Sequence, residues 1–520
     1  MSENQKVDVV VIGAGLGGMS VATRLAQKGL GVQLLERHNV PGGYATSFVR
    51  GRYEFEVALH ELSGVGPEGN RGGVYHYLNS IGVAEQVDFV MAPTLYRAIF
   101  SDMEFTMTQG WERAESDLCA AFPADAAGIR EFLALCRTLL DELEALRMSG
   151  LNKIFKPGNL ASLPRKCPNL LRYNMAPLEP VLKRFIHDPR ARRVISQFWG
   201  YFGLPPSRCS FFFFAIGLAS YIAHGAAYIK GRSQSLSNAF ITALEAHGGK
   251  AKFGCGVSKI LVEGGKVAGV ETDLGERIDA RFVVSNADPV TTCRGLVGEE
   301  HVPRRWFQGL SHRVLGPSSV NVYLGVNRTP EQLGLMDHEI FVNGTDDFER
   351  QFRDCHGLGP ATALVVTCYN HVYPEISPPG TSMVVLTTLK FGKQWRNLRP
   401  ADYARVKHTL ADGMLDAAAR VAPDLRKYAE VIEVSSPLTN VRYAGALGGS
   451  IYGFCPTPSD HTVWRVPSMG PVRGLFFSGA WTAPGGGFEP SIISGSMTAD
   501  QVLHIAAKQN EATFNFATDA

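Results

Sequence analysis

The chain has 520 residues, 45% apolar and only 19% charged, which is enough to bury more than one core and a large ligand. Lysine and arginine total 51 against 49 aspartate and glutamate, so the overall charge offers no footprint for nucleic acid. The nine cysteines are scattered, with no C-x-x-C or Cys/His cluster; this argues against a metal site and suits a reducing, cytoplasmic compartment.

The first predicted unit, residues 1–71, opens on VDVVVIGAGLGGMSVATRLAQKGLGVQLLERH. Val7–Ile12 is a β-branched run of the kind buried on both faces of a parallel sheet, and no apolar leader precedes it. Met19–Gln27 repeats its apolar residues at helical spacing, Gly29 and Gly31 stop the helix, and Val32–Leu35 is a second strand. The turn between strand and helix, Gly13-Ala14-Gly15-Leu16-Gly17-Gly18, carries G-x-G-x-x-G on Gly13, Gly15 and Gly18. Gly13 makes the tight turn, Gly15 lets backbone approach a pyrophosphate, and Gly18 lets helix pack on strand. The helix start then offers free N–H groups to phosphate, and Glu36 at the end of the second strand is placed to accept from a ribose diol. A glycine triplet alone is weak in a chain with 55 glycines; strand, helix and acid in register make it specific for a dinucleotide, NAD or FAD.

From about Gly72 to Arg232 the pattern turns helical and aromatic, a candidate substrate lobe (72–232) whose clearest amphipathic helix is FPADAAGIREFLALCRTLLDELEALRM. Between Leu151 and Arg193 ten basic residues meet only Glu179 and Asp188, which predicts a solvated face or a rim attracted to anionic lipid. The apolar run Phe211–Tyr221 is too short to span a bilayer. Phe211, Phe213 and, beyond the run, His224 are the expected lining of an apolar tunnel, with ordinary core packing the alternative at each. Residues 233–290 read as a helix closing at Gly248-Gly249, strands near Val257 and Val267, and a strand ending at Val284 before the turn Ser285-Asn286-Ala287-Asp288-Pro289. Residues 291–452 alternate strands and helices, including SVNVYLGV, ATALVVTCYN and TSMVVLTTLKF, as the rest of a substrate domain. Residues 453–510 hold RGLFFSGAWTAPGGGFEPSIISGSMTADQVLHIAAK, which reads as strand, glycine-rich loop and helix, and 511–520 form a polar tail.

Three of these segments carry a family resemblance. ERHNVPGGYATSF resembles the extended fingerprint of flavoproteins in the amine oxidase and phytoene desaturase superfamily, where a Gly-Gly pair lets the chain run along the diphosphate. Gly42-Gly43 match that pair, Arg37 flanks the adenosine end, and Tyr44, Ala45 and Thr46 follow, with Tyr44 standing where many relatives have arginine. GLFFSGAWTAPGGGFEPSIISG looks like the terminal flavin motif of the phytoene desaturase, carotenoid isomerase and retinol saturase group, with Gly479-Ala480 where many flavoproteins have Gly-Asp, then Gly487, Phe488, Ser491 and Ile492. The block from Gly231 to Pro289 is the third, its strand near Val257 matching one that clasps adenine.

The resemblance implies a mixed α/β fold: a Rossmann-type FAD-binding domain built from three separated parts of the chain, with an inserted α+β substrate domain. It implies FAD as cofactor and an oxidoreductase acting on carbon–carbon bonds of a hydrophobic isoprenoid by desaturation, isomerisation or saturation. It also puts YEFEVALHELSGVG beneath the flavin, so that His60 transfers a proton or else supports the cofactor loop, and puts Glu489 at the flavin's edge as an acid or base or a residue stabilised at a helix start. Two alternatives share the architecture. An amine oxidase-type enzyme is weakened by Tyr44 and Ala480, and a non-enzymatic prenyl- or lipid-binding protein has no need of the intact glycine set. The expected partner is a hydrophobic small molecule, with peripheral contact to the inner face of a membrane as a further expectation.

Overall fold

The computed structural model describes residues 5–148 and 163–518, organised on two large sheets. The first sheet is parallel at its centre. Gln5–Ile12 lies between Arg277–Ser285 and Val32–Leu35, with Lys250–Lys252 outside the latter and Leu475–Phe477 beside Arg277–Ser285, all parallel. An antiparallel extension, Val257–Glu263 and Lys266–Thr272, completes it. Val9, Val10 and Val11 are fully buried, as a parallel strand covered on both faces requires. Strands from the start, middle and end of the chain thus share one sheet. The expected two-strand, one-helix opening is present: the helix runs Leu16–Gln27 and the second strand Val32–Leu35.

The terminal helix, Phe488–Thr518, packs on the first helix closely enough that a Cβ on Gly495 would sit 2.4 Å from Ser20 Oγ. Ser20 Oγ donates to the Ile492 carbonyl at 2.7 Å and ties the two helix starts together.

The second sheet runs, in order, Ala429–Ser435, Ser318–Val326, Ser382–Lys390, Ala363–Cys368, Glu339–Asn343, Tyr96–Ile99 and Glu104–Met107. All pairings are antiparallel except Glu339–Asn343 with Tyr96–Ile99. The hairpin Tyr96–Met107 interrupts the helical stretch expected after Gly72; its first strand buries Tyr96 and Ala98 at alternate positions, a period-2 signal too short to stand out among helices. Ser318–Val326 is buried along its whole length. Val320, Val322, Leu324 and Val326 join the core formed with Leu410 and Met414, while Ser319, Asn321 and Tyr323 point the other way, towards the site.

Of the basic stretch, Lys153 and Lys156 lie outside the described residues. Arg193 is paired with Asp102 and Asp346, Arg190 with Asp188, and Lys183 with Glu179. Among the described residues no helix is long and apolar enough to cross a membrane.

Candidate active site

A cavity of about 600 Å³ runs between the two sheets. One end is walled by the first βαβ unit. Gly13, Gly15 and Gly17 present backbone to it, Glu36 and Arg37 flank it, Gly42, Gly43, Tyr44 and Ala45 form the side, and Val257 closes it. The terminal segment contributes Ala480, Gly487, Phe488, Glu489 and Ser491.

The remaining expected cofactor residues stand behind this lining. Ala14 donates its N–H to Glu36 Oε2 at 2.7 Å, which fixes the carboxylate. A Cβ on Gly18 would lie 2.0 Å from the Gly13 carbonyl oxygen, so glycine lets the helix seat on its own turn. Thr46 Oγ1 donates to Gln234 Oε1 at 2.5 Å, and Ile492 is the partner of Ser20. Gly479 backs directly on Gly17: a Cβ on Gly17 would fall 2.4 Å from the Gly479 Cα. Arg37 is engaged by the chain above it, donating to the carbonyls of Arg442 and Tyr443 at 3.1 and 3.4 Å.

The residues present fit a dinucleotide. The first helix has no side-chain cap on Gly15 and no acid in its first turn, so its free N–H groups and positive dipole end open into the cavity. Among the described residues Glu36 accepts from Ala14 and His38 alone, and it keeps acceptor capacity towards the cavity. Asp288, on the wall nearby, caps Thr291 with Oδ1, while its buried Oδ2 has no partner among the described residues, an acceptor suited to a ligand hydroxyl. Asn286 inserts its side chain among Gly13, Gly15, Gly17 and Gly479. The sequence carried a signal for it: it is the second residue of the turn after a central parallel strand, where such sheets bind ligands.

Beyond this end the cavity opens into a chamber walled by Trp199, Phe202, Phe213, Ile216, Phe341, Leu364, Val365 and Leu389. Phe213 is brought to the wall as expected. Phe211 and His224 are not. Two helix positions are about 200° apart, so Phe211 faces away and packs on Phe132 and Tyr173. His224 is the last residue of that helix, away from the lining.

His60 lies on the chamber floor. Its loop, which follows the strand Tyr53–Glu56, is held by donors to three of its carbonyls: Tyr323 to Val57, Tyr369 to Leu59 and His338 to His60 itself, each at 2.9 Å. The imidazole Nδ1 is 2.9 Å from Glu339 Oε1 and 3.0 Å from Thr367 Oγ1; Nε2 is 3.3 Å from Thr387 Oγ1, which lines the cavity. Glu339 is wholly buried, and also accepts from Tyr201 at 2.5 Å and Thr367 at 2.7 Å. Burial alone pushes its carboxyl up, but the His60 charge and the bonds it accepts hold it below the usual carboxylate range. Glu61, next after His60 in the chain, has both buried oxygens without partners among the described residues; burial first, and the neighbouring Glu339 charge second, drive it well above that range. The two carboxyl groups beneath the chamber are thus shifted in opposite directions, Glu339 down and Glu61 up.

Glu489 reaches the same chamber. Its Oε2 accepts from Ser63, in a very short bond, and from Ser220 at 3.3 Å. Glu339, Thr367, Thr387 and Tyr201 carried no sequence signal, since each belongs to a segment remote from His60.

The family model described as flavin containing amine oxidoreductase matches residues 16–503. Among curated proteins, the all-trans-retinol 13,14-reductase of Danio rerio is 24% identical over 97% of this chain and 88% of its own length. The chloroplastic prolycopene isomerase of Daucus carota is 23% identical over 96% of this chain and 81% of its own. Among solved structures, an oxidoreductase from Methanosarcina mazei superposes with a TM-score of 0.64 at 17% identity, covering 95% of this chain and all of that one, a likeness of fold.

Proposed function

The chain belongs to the flavin containing amine oxidoreductases, FAD-dependent enzymes, and from that premise we propose that it acts on carbon–carbon bonds of a hydrophobic isoprenoid polyene. The observation that carries this reading is the chamber itself: aromatic and aliphatic walls continuous with the dinucleotide cradle, and one imidazole at the floor. Similarity to a retinol reductase and a prolycopene isomerase supports the same class.

Bound FAD supplies hydride acceptance or donation at carbon. Around it, the uncapped start of the first helix and the backbone of Gly13, Gly15 and Gly42 would hold the diphosphate, Glu36 a ribose, and the start of the terminal helix the flavin. The chamber walls bind the polyene by burying it, at about 25 cal/mol per Å², and exclude water from the reacting bond. Because Glu339 is an anion, Nδ1 is the proton-bearing nitrogen of His60, and Nε2, beside Thr387, is the one that exchanges a proton with substrate. Glu339 and Thr367 orient the ring.

The chamber wall is mainly aromatic and aliphatic, and the buried Glu339 beneath it is already engaged by His60, Tyr201 and Thr367, which favours a polyene over an alkylammonium. The test is anaerobic incubation of the purified flavoprotein, oxidised and reduced, with a cis-carotene, phytoene, retinol and a panel of primary amines. Turnover of a polyene supports the reading. Reduction of the flavin by an amine, with no polyene altered, overturns it.

Membrane contact is part of the proposal. Leu171 and Met175 are about half exposed beside Arg165, Lys166 and Arg172. This patch is tied to the helix whose Leu143 lines the chamber, because Glu142 accepts from the N–H groups of Asn169 and Leu170. Sedimentation with anionic liposomes at low salt supports the contact, and a wholly unbound protein counts against it.

A further inference from the structure

One polar group in the chamber has no use in the chemistry above. Gln197 is 2% exposed and lines the cavity, and its Oε1 accepts from Asn343 Nδ2 at 2.9 Å. Asn343 Nδ2 also donates to the Ile99 carbonyl at 3.2 Å, and Gln351 Nε2 donates both to Asn343 Oδ1 at 2.8 Å and to the Thr345 carbonyl at 2.6 Å. The two backbone carbonyls fix which end of each amide is nitrogen, because a carbonyl can only accept. The direction of the whole chain follows: Gln351 donates to Asn343, Asn343 donates to Gln197, and the Gln197 amino group is left pointing onward. It meets no acceptor among the described residues.

The wall that Gln197 shares includes Leu143, Ala363 and Leu364, with Asn343 and Thr388 as its polar members, and Thr388 Oγ1 donates to the Ala363 carbonyl at 2.8 Å. Asn343 is four residues along the strand from Glu339, the partner of His60, so the amide lies on the order of 13 Å from the proton-transfer site. An NH₂ group on a cavity wall is left unpaired when an apolar ligand displaces the water there, a cost that a ligand oxygen removes.

We propose that Gln197 binds an oxygen acceptor on the end of the substrate remote from the reacting bond, so that the substrate class is a polyene bearing a terminal carbonyl, hydroxyl or ether oxygen rather than a hydrocarbon. This rests on the polyene reading of the same chamber. Asn343 and Gln351 act through Gln197 as positioning residues.

Trp199 lines the chamber beside Gln197 and reports occupancy by fluorescence quenching. The experiment titrates the flavin-loaded protein with two polyenes of equal conjugation, one carrying a terminal ketone and one its hydrocarbon parent, in the native chain and in Gln197→Leu and Gln197→Glu. Flavin absorbance and melting temperature verify that each variant is folded. The native chain is expected to prefer the ketone about tenfold or more, as a buried donor left unpaired would impose, and both variants to lose that preference with hydrocarbon binding within about twofold of native. Equal affinity for the two polyenes in the native chain, or a ketone preference that survives both substitutions, overturns the inference and leaves the polyene reading standing. Failure of both polyenes to bind overturns both.

Discussion

His60 takes its chemical character from residues it does not adjoin in sequence, and its substitution should separate chemistry from cofactor holding. His60→Ala is expected to lower kcat by about 10²- to 10⁴-fold, the usual worth of a positioned acid or base, while flavin content stays native. Glu339→Gln keeps the shape of the partner but removes its charge; kcat should fall with KM nearly unchanged, and steady-state kinetics on the flavin-loaded variant checks it. Glu61 gives a second measurement, of stability rather than rate. It binds its proton more tightly in the folded chain than in the unfolded one, whose carboxyl has the ordinary value of 4.5. Below 4.5 both states hold the proton; as pH rises above it the unfolded chain releases its proton first, so stability is lost progressively towards alkaline pH. Glu61→Gln removes that loss. Thermal melts across a pH series should therefore show the variant gaining on the native protein as pH rises, and a difference independent of pH would contradict the upward shift of Glu61.

At the scale of elements, the first turn and the terminal loop behave as one piece. A Cβ on Gly17 would meet the backbone of Gly479 at 2.4 and 2.6 Å, and backbone cannot step aside. A Cβ on Gly15 would meet the Asn286 amide at 2.5 Å, a side chain that can rotate. Gly17→Ala is thus expected to weaken FAD binding by about tenfold more than Gly15→Ala, read by flavin fluorescence on dilution. The contrast also marks what the sequence makes legible. Gly13, Gly15, Gly18 and Glu36 announce themselves because strand, turn, helix and acid are consecutive. That Gly17 is pinned by Gly479 depends on a loop 462 residues further on, joined through a shared sheet. Local periodicity likewise exposes the long strands Ser318–Val326 and Ser382–Lys390, whereas Tyr96–Ile99 and Glu104–Met107 are too short to compete with the helical pattern around them. Phe211 falls to the core-packing alternative rather than the tunnel wall, a choice the sequence leaves open because the run is apolar on all faces and its pattern does not say which face meets the cavity.

On the scale of the whole molecule, the cavity lies between a sheet that builds the nucleotide cradle and a sheet that builds the substrate floor, and neither closes it alone. His60 and Glu339 are 279 residues apart in sequence, and they meet because His60 is carried on the loop after the strand Tyr53–Glu56 while Glu339 begins a strand of the second sheet. A ligand that fills the cavity therefore stabilises both sheets together. Stripping FAD should lower the melting temperature of the entire chain, and restoring it at about 100-fold over its Kd should return about 2.7 kcal/mol, measured by calorimetry. The most direct test of the central claim follows a conjugated polyene by its own absorption, anaerobically, in the presence of the chain with its flavin oxidised and then reduced. A flavin-dependent change in the polyene's bond count or geometry, lost in His60→Ala, is the expected result; a bound polyene left unaltered in both flavin states would contradict the account.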